Sequence, residues 1–121
     1  TVIKKRDTCV RVGIIPIVCF SQPDDAQKFY APECILAWED PQNISVEGSY
    51  REKDPREIRT NVHVIKASLP ENTHLIYGGS VNKHNISDLA AMEGLDGVLV
   101  GNASLDPEHF YEICIFKNSA R

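Results

Sequence analysis

A chain of 121 residues, 42% hydrophobic and 25% charged, has the size and make-up of one ordinary globular domain, which excludes disordered and fibrous classes. A net charge of -4, with no basic stripe and no aromatic-basic groove, argues against nucleic acid or an anionic membrane as the main partner. The longest apolar run, residues 13–20, falls well short of the ~18 residues that span a bilayer, so a soluble protein is expected.

The chain opens on a helical pattern over residues 2–10, and its start reads as a cut within a helix. Four aliphatic runs follow, at 14–19, 34–38, 74–77 and 97–100. Each is almost continuously apolar, the mark of strands buried on both faces, as in a parallel sheet. Helices are predicted between and after them, over 24–30, 54–68, from 80 or 82 to 92, and 106–116. Asp54-Pro55 and Asp106-Pro107 each set an N-cap acid before a proline at the first helical position. The order is α-(βα)4, in a single α/β domain over residues 1–121.

Two architectures fit that order, an open doubly wound sheet or part of a (β/α)8 barrel. A closed eight-stranded barrel takes about 250 residues, so four units are half of one, with two unpaired edges and an open apolar inner face. Leaving about 400 Å² of apolar surface uncovered would withhold about 10 kcal/mol, comparable with the stability of a whole domain. Such a half is expected to self-associate or to pair with another half-barrel.

Four cysteines, Cys9, Cys19, Cys34 and Cys114, lie far apart without a CxxC pair, and are expected to be buried, reduced thiols rather than metal ligands. The triplets at Asn43, Asn85 and Asn102 match a glycosylation acceptor by chance, since nothing resembles a signal peptide. No metal and no cofactor is called for.

Two strand ends open onto helix starts through small residues, Gly78-Gly79-Ser80 and Gly101-Asn102-Ala103-Ser104. Glycines let a backbone approach a ligand closely, and a helix start offers free N–H groups and partial positive charge. Two such turns on successive strands converge on one anion, so a phosphate-bearing small molecule is the expected ligand. Glu39 directly follows Cys34-Ile35-Leu36-Ala37-Trp38, at the strand end where such folds keep catalytic groups, in a position suited to a general base or, more plainly, to a solvated loop acid. His63, His74, His84 and His109 do not lie at the C-terminal end of a strand and read as surface or packing residues. Arg51, Lys53, Arg56 and Arg59 read as a solvated face.

Ile14-Ile15-Pro16-Ile17-Val18-Cys19, Leu36-Ala37-Trp38-Glu39, Tyr77-Gly78-Gly79-Ser80-Val81 and the segment 96–107 together resemble the triosephosphate isomerase family, in the order of strands five to eight of its barrel. The short connection from Phe20 to Glu33 looks like that of the compact archaeal-type variants. The resemblance implies a (β/α)4 half of a TIM (β/α)8 barrel, with parallel strands and outer helices. It also implies a cofactor-free isomerisation of dihydroxyacetone phosphate and glyceraldehyde 3-phosphate through an enediolate, with Glu39 as the base. Ser45, Gly79, Ser80, Leu99, Gly101 and Asn102 fall at its substrate-phosphate positions, held by backbone amides and, for Ser80, by the hydroxyl as well. A cytoplasmic homodimer serving glycolysis and gluconeogenesis follows from the same resemblance.

Three departures stand out. The lid segment Asp40-Pro41-Gln42-Asn43-Ile44-Ser45-Val46-Glu47-Gly48 has Ser45 and Glu47 where the family has hinge glycines, which puts lid gating in doubt and leaves Gly48 as a shifted hinge. Asn102 replaces the second glycine of the last turn, where left-handed backbone angles would still be tolerated. The family's asparagine and lysine from strand one and histidine from strand four are not among these residues, so the chain alone is expected to be inactive. The competing reading is a non-catalytic phosphate-binding or assembly half-barrel with a degenerate lid. Another phosphate-binding (β/α)8 enzyme is a third, which leaves Trp38-Glu39 unexplained.

Overall fold

The computed structural model describes residues 1–116; residues 117–121 of the expected domain lie outside them. Helix α1 (Val2–Arg11) leads to strand β1 (Ile17–Phe20), the single-turn helix α2 (Ala26–Phe29), β2 (Ile35–Glu39), α3 (Pro55–Ala67), β3 (His74–Gly78), α4 (Ile86–Ala90), β4 (Gly97–Val98) and α5 (Pro107–Cys114). The strands form one sheet in the order β1-β2-β3-β4, and every pairing is parallel. The α/β architecture expected from the aliphatic runs is therefore present.

The register decides which side chains share a face. Val18 pairs with Leu36 and Leu36 with Leu75, while Phe20 pairs with Trp38 and Trp38 with Tyr77. Successive residues point to opposite faces, so both rows lie on one face, and all six residues are buried in the main core. Helix α3 adds Ile58, Val62 and Ile65 to that core. Truncating Leu36 or Leu75, each 0% exposed, to alanine should cost about 2–5 kcal/mol.

The opposite face carries Ile17, Cys19, Ala37, Ile76 and Glu39, and it is open at the β1 edge. Ile17 is 52% exposed. Burial of β1 on both faces, read from its continuous apolarity, does not hold; it alternates exposed and buried because no described element covers its inner side. The strand also starts later than the run 14–19. Ile14 and Ile15 are exposed, and pairing begins at the Pro16 carbonyl, which accepts a hydrogen bond from Ile35 N at 3.0 Å. The expected set of buried thiols is corrected in the same way. Cys34 is buried, Cys9 partly so, and Cys19 and Cys114 are exposed; all four are free.

Helix ends follow local chemistry. Asp54 accepts from Arg56 N at 2.8 Å, and Asp106 accepts from Glu108 N at 3.0 Å, as their positions before proline predict. The helix expected over 24–30 is only a 3₁₀ turn, Pro23–Asp25, followed by α2. Arg6 Nη1 on α1 donates to the Phe29 and Tyr30 carbonyls at 2.8 and 2.9 Å, satisfying the end of α2. The helix expected from 80 or 82 starts at Ile86, because Asn82 Oδ1 accepts from His84 N and Asn85 Oδ1 from Asn82 N, a side-chain pattern that competes with helix.

Lys53 corrects the reading of a solvated basic face. Its side chain is 9% exposed, lies 3.0 Å from both Asp40 Oδ2 and Glu57 Oε1, and sits 5.9 Å above the Trp38 ring. Arg56 remains solvated, paired with its own cap residue Asp54. Among the described residues no helix is long and apolar enough to cross a membrane.

Tyr77 is fully buried, yet its hydroxyl has no hydrogen-bond partner among the described residues. Removing a buried polar atom that lacks a partner relieves a desolvation cost. Tyr77→Phe is expected to stabilise the chain by about 1 kcal/mol, read as a higher urea midpoint at unchanged slope; a lower midpoint would contradict it.

Candidate functional site

At the C-terminal ends of β2, β3 and β4 the loops leave a cleft of about 120 Å³ lined by Glu39, Ile44, Ser45, Gly79, Ser80, Val81, Leu99, Gly101 and Asn102. It has room for several waters, the scale of a small oxyanion. Every residue singled out from the sequence lies on its wall: Glu39, Ser45, Gly79, Ser80, Leu99, Gly101 and Asn102. Ile44 and Val81 complete it, and neither was expected from sequence, since nothing polar marks them.

Glu39 ends β2 on the inner face, and its carboxylate lies over the backbone of Gly78, its register partner on β3. A Cβ at position 78 would stand 2.9 Å from Glu39 Oε2, so only glycine leaves the acid where it is. On the neighbouring strand Cys19 lies on the same face as this carboxylate. Partial burial first, then interaction with Glu39 and its charge, push the thiol up to about 11. The β1 run shows the signal for this proximity in retrospect, since Cys19, Ala37 and Glu39 share a face at a period of two.

The turn after β3 is built around Ser80, which holds φ at 52°, in the left-handed region that non-glycine residues seldom enter. Its hydroxyl donates to the Asn43 carbonyl at 2.6 Å and accepts from Arg51 N at 2.7 Å. Ser45 Oγ lies 3.1 Å away as a third partner. A hydroxyl has one proton and two lone pairs, so this one is fully used. The Ser80 hydroxyl, expected at a ligand, here holds the segment from 43 to 51. The Leu99 amide, another expected contact, bonds the Tyr77 carbonyl at 2.8 Å, extending the sheet beyond β4. The N–H groups of Ser45, Ser80, Gly101 and Asn102, like that of Gly79, make no hydrogen bond to any described residue.

Asn102 does not use the left-handed freedom considered for it. It starts a 3₁₀ turn, Asn102–Leu105, whose Ser104 N and Oγ both return to the Gly101 carbonyl, at 3.0 and 2.6 Å. The segment from 40 to 51 is equally constrained. Asp40 Oδ1 accepts from Gln42 N at 3.0 Å, and this bond, followed by Lys53, lowers the Asp40 pKa below its usual 3.8. Asn43 Nδ2 donates to the Arg51 carbonyl at 2.7 Å. Between them Val46 and Ser49 exchange both backbone bonds around Glu47 and Gly48, each with positive φ, a type I′ arrangement. Gly48 serves a tight turn, and the loop is bonded shut at its base.

The sequence matches the family model described as "Triosephosphate isomerase" over residues 1–117. A triosephosphate isomerase of Wolbachia pipientis wMel is 29% identical over 122 aligned residues, covering 90% of this chain and 50% of that protein. One from Prochlorococcus marinus (strain MIT 9313) is 32% identical over 123 residues, covering 88% and 51%. The one from Mesomycoplasma hyopneumoniae (strain 232) is 52% identical over 52 residues, 43% of this chain and 22% of that protein. In structure, the chain resembles a crystal structure of triosephosphate isomerase from Bartonella henselae, with a TM-score of 0.73 at 19% identity over 93% of this chain and 54% of that one. That likeness shows half of a TIM barrel as the fold, and the chain spans about half the length of the relatives that it matches along most of its length. With the family model covering all but its last residues, the chain belongs to the triosephosphate isomerase family.

Proposed function

We propose that this chain supplies the proton-transfer base and the phosphate cradle of a triose-phosphate isomerase site. The observation that supports the reading most is one cleft holding a strand-end carboxylate, Glu39, beside the unused amides of Ser45, Ser80, Gly101 and Asn102. Backbone amides bind a phosphate dianion without a buried cation, and no described lysine or arginine lines this cleft. With the phosphate held there, Glu39 takes a proton from one carbon of dihydroxyacetone phosphate and returns it to the neighbouring carbon, giving glyceraldehyde 3-phosphate. Ile44, Val81 and Leu99 give the cleft an apolar wall that limits water around the carboxylate.

The groups that polarise the carbonyl belong, by the resemblance, to the other half of the barrel. Losing one such electrophile costs roughly 10²–10³ in rate, so the chain alone binds substrate and turns it over negligibly. Pairing with an N-terminal half-barrel at the free edges of β1 and β4 would complete the site. A cytoplasmic homodimer acting in glycolysis and gluconeogenesis belongs to the same reading. The alternative of a non-catalytic phosphate-binding or assembly half-barrel draws on the lid segment, whose Ser80, Asn43 and Arg51 bonds favour a fixed wall over a moving gate.

A two-carbon phosphorylated carboxylate, which resembles the enediolate, is the probe. It should shift the amide resonances of Ser45, Ser80, Gly101 and Asn102 at millimolar concentration; no shift would reject both readings. Mixed with the first half of a relative's barrel, the chain should gain isomerase activity, and Glu39→Gln should lower it by about 10²–10⁴. Binding without any such activity would favour the non-catalytic reading. The placement of the acid is testable on the chain by itself. Glu39→Gln removes the charge that raises the Cys19 pKa, so alkylation of Cys19 by iodoacetamide at mildly alkaline pH should accelerate several-fold. An unchanged rate would separate Glu39 from Cys19 in solution.

A further inference from the structure

Ser80 is the one lining residue of the cleft held at positive φ, a conformation unfavourable for a non-glycine residue. Something must hold it there. The Ser80 carbonyl accepts two side-chain donors, Asn82 Nδ2 at 2.8 Å and Asn85 Nδ2 at 3.1 Å. Asn82 is 0% exposed and Asn85 8% exposed. The second amide proton of Asn82 goes to Glu52 Oε1 at 2.8 Å, from the segment that joins the lid to α3. Asn82 Oδ1 takes His84 N, and Asn85 Oδ1 takes Asn82 N, both at 2.8 Å. Both amide protons of Asn82 and the side-chain oxygens of Asn82 and Asn85 therefore have partners, and the pair is committed to one geometry.

We infer that Asn82 and Asn85, with Glu52 behind them, are positioning residues that hold Ser80 in its left-handed conformation and so preorganise the anion-binding amide. None of the three lines the cleft, so they act only through the Ser80 backbone. The inference rests on the phosphate-cradle reading above. Without the anchors Ser80 spends most of its time in ordinary backbone regions, and the apparent affinity falls by the fraction left in the competent one.

Inorganic phosphate is the probe, followed through the amide resonances of Gly101 and Asn102, with a urea midpoint recorded for each variant. Asn85→Ala should weaken phosphate binding about tenfold. Glycine visits positive φ without that cost, so in a Ser80→Gly background the same change should cost threefold or less. A purely structural role for Asn85 would shift the urea midpoint alike in both backgrounds and would leave the two affinity ratios equal. Equal ratios, or an Asn85→Ala chain that binds as tightly as the original, would overturn the inference. Should Asn85→Ala fail to fold, Glu52→Ala, at an exposed side chain, carries the same comparison, with an expected two- to threefold loss that disappears in the glycine background. An original chain that binds no phosphate at all overturns the cradle reading and this inference with it. One that binds phosphate with no dependence on Asn85 or Glu52 overturns the inference alone.

Discussion

Parallel register is the constraint from which the rest of this molecule follows. Once Val18, Leu36 and Leu75 stand in one row, and Phe20, Trp38 and Tyr77 in another, the helices must cover that face. Every alternate residue is then committed to the other side. That parity delivers Glu39 and Cys19 to the inner face and brings Glu39 alongside Gly78. A slip of one residue would send the carboxylate among the helices and Trp38 to the open side. The hydrophobic effect thus places a carboxylate without touching it.

Above the sheet, hydrogen bonding takes over from apolar burial as the organising force. Ser80 is the meeting point: its hydroxyl takes the lid segment and its carbonyl takes two asparagines. Its amide makes no bond to a described residue. The strand-end loops are therefore joined to each other more than to the sheet, through bonds that are individually modest and mutually dependent. The substitutions that look like losses in the lid, Ser45 and Glu47, are accommodated by this arrangement. Ser45 approaches the Ser80 hydroxyl, and Glu47 joins Gly48 in a tight turn.

Much of this was legible in the sequence because the signals were local. The aliphatic runs gave the strands, Asp54-Pro55 and Asp106-Pro107 gave two helix starts, and the glycine-ended turns pointed to the residues that share the cleft. What was not legible depended on partners distant in the chain. Nothing near Leu99 says that its amide pairs with Tyr77, and nothing near Lys53 says that it will be sandwiched between two carboxylates above Trp38. The run 14–19 misled for a related reason: apolarity reports that a residue can be covered, not that a cover is present. Ile14, Ile15 and Ile17 are apolar and exposed alike. The late start of α4 is the exception, since Asn82 and Asn85 were in plain view as competitors for the backbone.

The Arg6 contact bears on how a barrel can be shortened. Between β1 and β2 the chain keeps only a 3₁₀ turn and the four-residue α2, too little to form an outer layer of its own. One guanidinium reaching from α1 to the Phe29 and Tyr30 carbonyls closes that stub. Five donors in a rigid fork allow a single arginine to terminate a truncated helix as well as to anchor it. A repeat unit can thus shed most of its helix when the preceding unit lends one long cationic side chain, so the α-layer of such a fold can be trimmed unit by unit while the sheet register stays intact.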